Sequence, residues 1–176
     1  MITGAVRIFE AEGFRGIGID RVIAPSGVST RTLYKHFGSR DGLVLAVLEA
    51  RHSAFMDLLE GDDGDADPVA ILFDTLRDWM DANGSRGCML LRARSEYASA
   101  SEAIVSLVHQ QKDAFRTEVA RRVRIALGGD DAQLTTQIWL LFEGATAAAS
   151  VSSAAVIDDA KAAALALLAH AQGRTS

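Results

Sequence analysis

Hydrogen-bond donors gather on one short stretch, residues 29–40. Arg31, Lys35, His36 and Arg40 are cationic or can become so, and Ser29, Thr30, Thr32 and Tyr34 carry hydroxyls. Leu33 and Phe37 fall four apart, so on a helix both face inward. Arg31, Thr32, Lys35 and His36 then face outward, with Tyr34 at the edge. This is recognition chemistry. A guanidinium fork pairs with O6 and N7 of guanine, which makes Arg31 the best candidate for a base edge. The three hydroxyls Ser29, Thr30 and Thr32 stand at the start of the same helix, and Lys35 and His36 suit either a base or a phosphate.

Catalytic chemistry has little to work with. Cys88 and His109 form the one possible thiol–imidazole pairing, and nothing in the sequence brings them together or supplies an orienting third group. A structural cysteine accounts for Cys88 better. No Cys/His cluster has zinc spacing and no glycine loop would cradle a phosphate, so we expect neither an enzyme nor a cofactor. Asp63, Asp65 and Asp67 have the alternate spacing of a calcium loop, with Asp74 at the last ligand position. Pro68 stands where such a loop requires glycine, and a terminal Glu is missing. Asp67 reads better as a helix cap, with Pro68 as the first helical residue. An apolar set with a few polar anchors suits a small molecule instead: Trp79, Met80, Met89, Tyr97, Phe115, Trp139 and Phe142, with Arg92, Glu96 and His109.

The donor-bearing helix must be held by its neighbours. Ile19, Val22 and Ile23 give a preceding helix an apolar side, with Gly18 as its N-cap and Asp20 in its first turn. Pro25-Ser26-Gly27 ends that helix in a sharp corner, Val28 plugs the turn, and Ser29 caps the next helix, residues 30–36. Ala5, Ile8 and Phe9 mark a helix before these two, ended by Gly13. Ser39 caps a helix after them, with Asp41 in its first turn and Leu43, Val47, Leu48, Phe55, Leu58 and Leu59 along it. Further helices are expected from Pro68 to about Asn83, over 88–99, over 102–127, over 131–152 and over 157–171. On the 102–127 helix, Arg121, Arg122 and Arg124 suit the negative end of its dipole.

In register, Ala5, Ile8, Phe9, Gly13-Phe14, Gly18 to Ala24, Ser26 to Ser29, Thr32 to Phe37 and Ser39 to Leu43 resemble the DNA-binding domain of the tetracycline-repressor (TetR) family of bacterial regulators. The resemblance covers about the first 50 residues. Gly87-Cys88 with Glu96-Tyr97 resembles the body of one subgroup. Pro25 departs from the pattern, standing where the family usually has a helix former, so the second helix is expected to distort at its end. The family's basic arm is not seen before Met1, so it is expected either to be absent or to lie upstream of this sequence. The resemblance implies an all-α protein. Residues 1–51 would form a three-helix helix-turn-helix head, including the start of a linking helix, and residues 52–176 a ligand-binding and dimerisation body. It implies phosphate contacts for Tyr34 and Arg40. It also implies that the last two helices pair across a homodimer, through Trp139, Glu143, Gly144, Ala147, Ala148, Val151, Ala163 and Leu167. Their small residues suit close helix packing in either setting, within one chain or between two.

Composition agrees with an all-α chain: Pro occurs twice in 176 residues and nearly half the residues are apolar. Net charge is −5, but residues 1–52 hold seven Lys and Arg against five Asp and Glu, and the remainder eleven against eighteen. A basic head on an acidic body confines nucleic-acid contact to one end. The single cysteine excludes an internal disulfide and suits the cytoplasm. No apolar run is long enough for a membrane span. The expected function is a transcriptional regulator, by the family's commoner mode a repressor. It would bind a palindromic operator on double-stranded DNA as a homodimer and be released by a small-molecule effector. The alternative is a ligand-independent dimeric DNA-binding or recruitment module.

Overall fold

The computed structural model describes residues 1–60 and 66–175; the calcium-like aspartates Asp63 and Asp65 lie outside them. Among the described residues the chain is all-α, with no strand. The helices are α1 (Ile2–Glu12), α2 (Ile19–Ile23), α3 (Thr30–Phe37), α4 (Arg40–Glu60), α5 (Pro68–Asn83), α6 (Met89–Tyr97), α7 (Glu102–Leu127), α8 (Ala132–Ala149) and α9 (Ala155–Thr175). Among the described residues, no helix is long and apolar enough to cross a membrane.

Local chemistry sets these ends. The Asp67 carboxylate accepts from Val69 and Ala70 N–H at 2.8 and 3.1 Å, with Pro68 opening α5. It is the cap expected. Asp131 accepts from Leu134 N–H at 2.8 Å and starts α8. Ser39 Oγ accepts from Gly42 N–H at 3.0 Å in the first turn of α4.

The chain divides into two compact units, Met1–Ala54 with Cys88–Gln111, and Phe55–Gly87 with Lys112–Ser176. The first boundary falls three residues from the expected end of the head at Arg51. The division differs from a single cut, because α6 and the first part of α7 group with the head. The core of the first unit joins Ala5, Phe9, Phe14, Val22, Leu33, Leu43 and Val47 to Ala93, Tyr97, Ile104 and Val108. A polar staple accompanies it. Glu96 accepts from Phe14 and Arg15 N–H, each at 2.8 Å, while Arg92 pairs with Glu96 and donates to the Glu10 carbonyl at 3.0 Å.

The second unit has its own core of Leu59, Leu72, Phe73, Val119, Ile138, Phe142, Ile157, Ala164 and Leu168, with α9 lying against α5 and α8. Arg122 corrects a sequence expectation. Rather than addressing its own helix end, it is buried, pairs with Glu118 and donates to the Leu59 and Pro68 carbonyls at 2.6 and 3.2 Å. Leu58, expected on the apolar side of α4, is half exposed.

Candidate nucleic-acid interface

The helix-turn-helix is built as its residue types dictate. Gly18 caps α2 in extended conformation. After Ile23 the backbone tightens into a 3-10 turn, Ala24–Ser26, with Pro25 in its opening positions. This is the distortion that Pro25 leads one to expect. Its ring lies beside α1 at Gly4, where a Cβ would come within 3.3 Å of the Pro25 Cβ. Gly27 then takes φ 64°, the left-handed corner that side chains resist. Ser29 Oγ accepts from Thr32 N–H at 3.2 Å and opens α3. Thr30 Oγ1 donates to Asp20 at 2.8 Å, which ties the start of α3 to α2.

On α3, Leu33 is fully buried, while Arg31, Tyr34, Lys35 and His36 are exposed. Ser29 is exposed, and Thr30 and Thr32 are half-buried by the contacts just named, Thr32 with Ser29 at 3.0 Å. Phe37 is half-buried against the core. One face therefore anchors the helix and the opposite face offers cations and hydroxyls, the arrangement that lets a short helix enter a major groove. The end of α3 is pinned against α4 at Gly42, where a Cβ would sit 2.0 Å from the Phe37 carbonyl oxygen. Arg40 differs from the others. It is half-buried, and its guanidinium donates to the Phe14 carbonyl.

The ten residues expected to bind a small molecule fall in both units. In the first, Met89 is half-buried and His109 exposed, while Arg92 and Glu96 form the polar staple of that unit. Arg92 and Glu96, expected as polar anchors, here hold the open amides and carbonyls at the α1 end. Tyr97 is 3% exposed. Burial pushes its phenol pKa up; the adjoining Arg40 guanidinium, by hydrogen bonding and charge, and the Arg15 cation oppose that push, and Asp41 adds to it. In the second unit Trp79, Phe115 and Phe142 pack through Phe55. The Phe115 and Phe142 rings lie 4.4 Å apart, and the Phe55 ring is 5.4 Å from Trp79. Met80 is in the same core, and Trp139 packs against it with the Arg116 guanidinium 5.3 Å from its ring.

The expected interface residues lie on α8, just past its end, and on α9. Gly144, Ala147, Val151 and Ala163 are exposed, with Leu140, also exposed, one turn before Gly144. Ala148, Trp139 and Leu167 are half-buried, and Glu143 is held by Lys112 at 2.7 Å within the chain. Sequence reasoning missed Leu140, although it continues the spacing of Gly144 and Ala147.

Residues 1–47 match the family described as bacterial regulatory proteins, tetR family. No curated protein matches the chain. Among solved structures, a TetR-family transcriptional regulator from Streptomyces coelicolor, SCO4454, superposes with a TM-score of 0.88 at 26% identity, over 97% of this chain and 93% of that one. A putative tetr-transcriptional regulator of Streptomyces avermitilis, sav143, gives 0.78 at 24% identity over 97% and 94% of the two chains. Escherichia coli NemR in its reduced form gives 0.76 at 18% over 93% and 92%. Residues 1–47 carry the helix-turn-helix domain of the tetR family of bacterial regulatory proteins, and the whole chain shares the fold of the solved TetR-family regulator SCO4454. That domain is the DNA-binding part of bacterial transcriptional regulators, which supports a DNA-binding regulator.

Proposed function

We propose that the protein is a repressor that acts in the cytoplasm, at the nucleoid, and binds a palindromic operator as a homodimer. The observation that carries this reading is the two-sided α3, with Leu33 buried beneath and Arg31, Tyr34, Lys35 and His36 exposed above. Arg31 reads a base edge, Tyr34 and Arg40 hold phosphates, and Lys35, His36 and the hydroxyls of Ser29, Thr30 and Thr32 complete the contact. Two such helices fit grooves about 34 Å apart on one duplex face, which calls for a two-fold dimer. The exposed apolar stripe of Leu140, Gly144, Ala147 and Val151 supports α8 and α9 as its interface. A small molecule bound in residues 52–176 favours splayed heads and so releases DNA by population shift.

A second reading has one observation behind it. The aromatic rings of the second unit pack on one another, which favours a filled body and a ligand-independent module. Selection of binding sites from random duplexes, repeated with pools of small molecules, separates the two. The repressor reading requires an enriched inverted repeat whose recovery falls in at least one pool. An enriched repeat that no pool disturbs supports the module, and no enrichment overturns both.

A further inference from the structure

The first unit holds a cleft of about 400 Å³ lined by Arg15, Ile17, Arg40, Asp41, Tyr97 and Ala100. Its polar groups are mostly donors. The Arg15 guanidinium is steadied by the Glu96 carbonyl at 3.2 Å and stands 5.8 Å from the centre of the Tyr97 ring. Arg40 is fixed by the Phe14 carbonyl, which occupies only one side of its fork. The Tyr97 hydroxyl is buried beside the Arg40 guanidinium, and no well-formed hydrogen bond satisfies it among the described residues. Such an atom costs stability unless something outside the chain satisfies it. Asp41 is the single carboxylate in the lining, against two guanidinium groups.

We propose that this cleft binds a free phosphate oxyanion, inorganic phosphate or the terminal group of a phosphomonoester, between the Arg15 and Arg40 guanidinium groups and the Tyr97 hydroxyl. Two planar cationic forks match the oxygens of a tetrahedral anion, and charge-assisted bonds of this kind are the strong ones. The Tyr97 hydroxyl supplies a third donor, and its raised pKa keeps it protonated at neutral pH. Burial of Tyr97 recesses that donor, which suits a small free anion better than the backbone of a rigid duplex. Arg40 is also the residue assigned above to a DNA phosphate. That coupling rests on the proposed function: a bound anion holds Arg40 in the cleft and competes with DNA for it. The binding itself does not depend on it.

Calorimetric titration of the whole chain with inorganic phosphate, at ionic strength held constant with chloride, tests the site. Saturable binding of one phosphate per chain is expected, weakened about tenfold or more by Tyr97→Phe and by Arg15→Ala. Arg15 is exposed, so its replacement stays informative even where Tyr97→Phe alters folding. No saturable heat, or equal affinity in a folded Arg15→Ala variant, overturns the proposal. A selected duplex provides the second arm. Phosphate should weaken DNA binding more than chloride of equal ionic strength does, and Arg15→Ala should abolish the difference. If Arg15→Ala instead lowers the salt dependence of DNA binding while free phosphate never binds, the occupant is the DNA backbone and the proposal fails. Absence of any selected duplex contradicts the DNA-reading account and leaves the calorimetric result standing.

Discussion

In the proposed reading, Arg31 is the residue on which sequence choice turns. It is exposed on the first turn of α3, where side chains reach base edges, and no hydrogen bond or ion pair holds it among the described residues. Arg31→Ala should cost about 1–3 kcal/mol on the preferred duplex and relax the base preference at one position of each half-site, measured by repeating the selection. Equal loss on all sequences would move Arg31 to the phosphates. The neighbouring hydroxyls have two duties. Ser29 caps the helix that it also presents, Thr32 bonds that cap, and Thr30 is bonded to Asp20, so replacing them disturbs the reading helix as well as its contacts.

At the scale of the element, local signals in the sequence were legible where the chain's own neighbours decide the structure. Asp67 with Pro68, Ser29, Gly18 and Gly27 each mark a helix end by chemistry within a few residues. Contacts made across the chain were not legible. Arg122 reads as a surface cation of a helix end until Leu59 and Pro68 place two open carbonyls in front of it. Arg92 and Glu96 read as polar anchors for a ligand, and only the end of α1, distant in sequence, shows what they hold here. Gly42 looks like an ordinary helical glycine, yet a Cβ there would meet the Phe37 carbonyl oxygen. Gly42→Ala should destabilise the first unit by about 3 kcal/mol, the upper end of overpacking costs, and reduce DNA binding with it; an unchanged melting temperature would contradict the close approach. The Arg121–Glu118–Arg122 cluster gives a pH effect. Burial pushes the Glu118 carboxyl up, but bonds and charges from Arg121 and Arg122 outweigh burial and hold its pKa below the usual value. A carboxylate with a lowered folded pKa contributes stability above its unfolded pKa, about 4.3, and loses it as pH falls through the lower folded value. Melting temperature should therefore drop between about pH 5 and pH 3, and less steeply in Glu118→Gln; parallel curves would remove Glu118 from the account.

At the scale of the molecule, the question is how two reading helices come to address one duplex. The proposed dimer would use the exposed stripe on α8, and Ala147 lies on it without closing the core of its own chain. Ala147→Glu should leave the fold intact by circular dichroism and shift the protein from dimer to monomer in sedimentation, with DNA affinity falling about a hundredfold or more as cooperative half-site binding is lost. A variant that still sediments as a dimer would place the interface elsewhere. The split of charge, basic over residues 1–52 and acidic over the remainder, gives the same picture of a molecule that meets DNA at one end.

Methylation interference on a selected duplex tests most directly whether α3 reads the major groove. Guanine N7 lies in the major groove and adenine N3 in the minor groove, so the methylated base reports which groove the protein enters. The account predicts that guanine N7 methylation blocks binding in two patches related by two-fold symmetry, with centres about 10 base pairs apart, and that Arg31→Ala removes the sensitivity of one guanine in each patch. Interference confined to adenine N3, or a single patch with no symmetric mate, would contradict it.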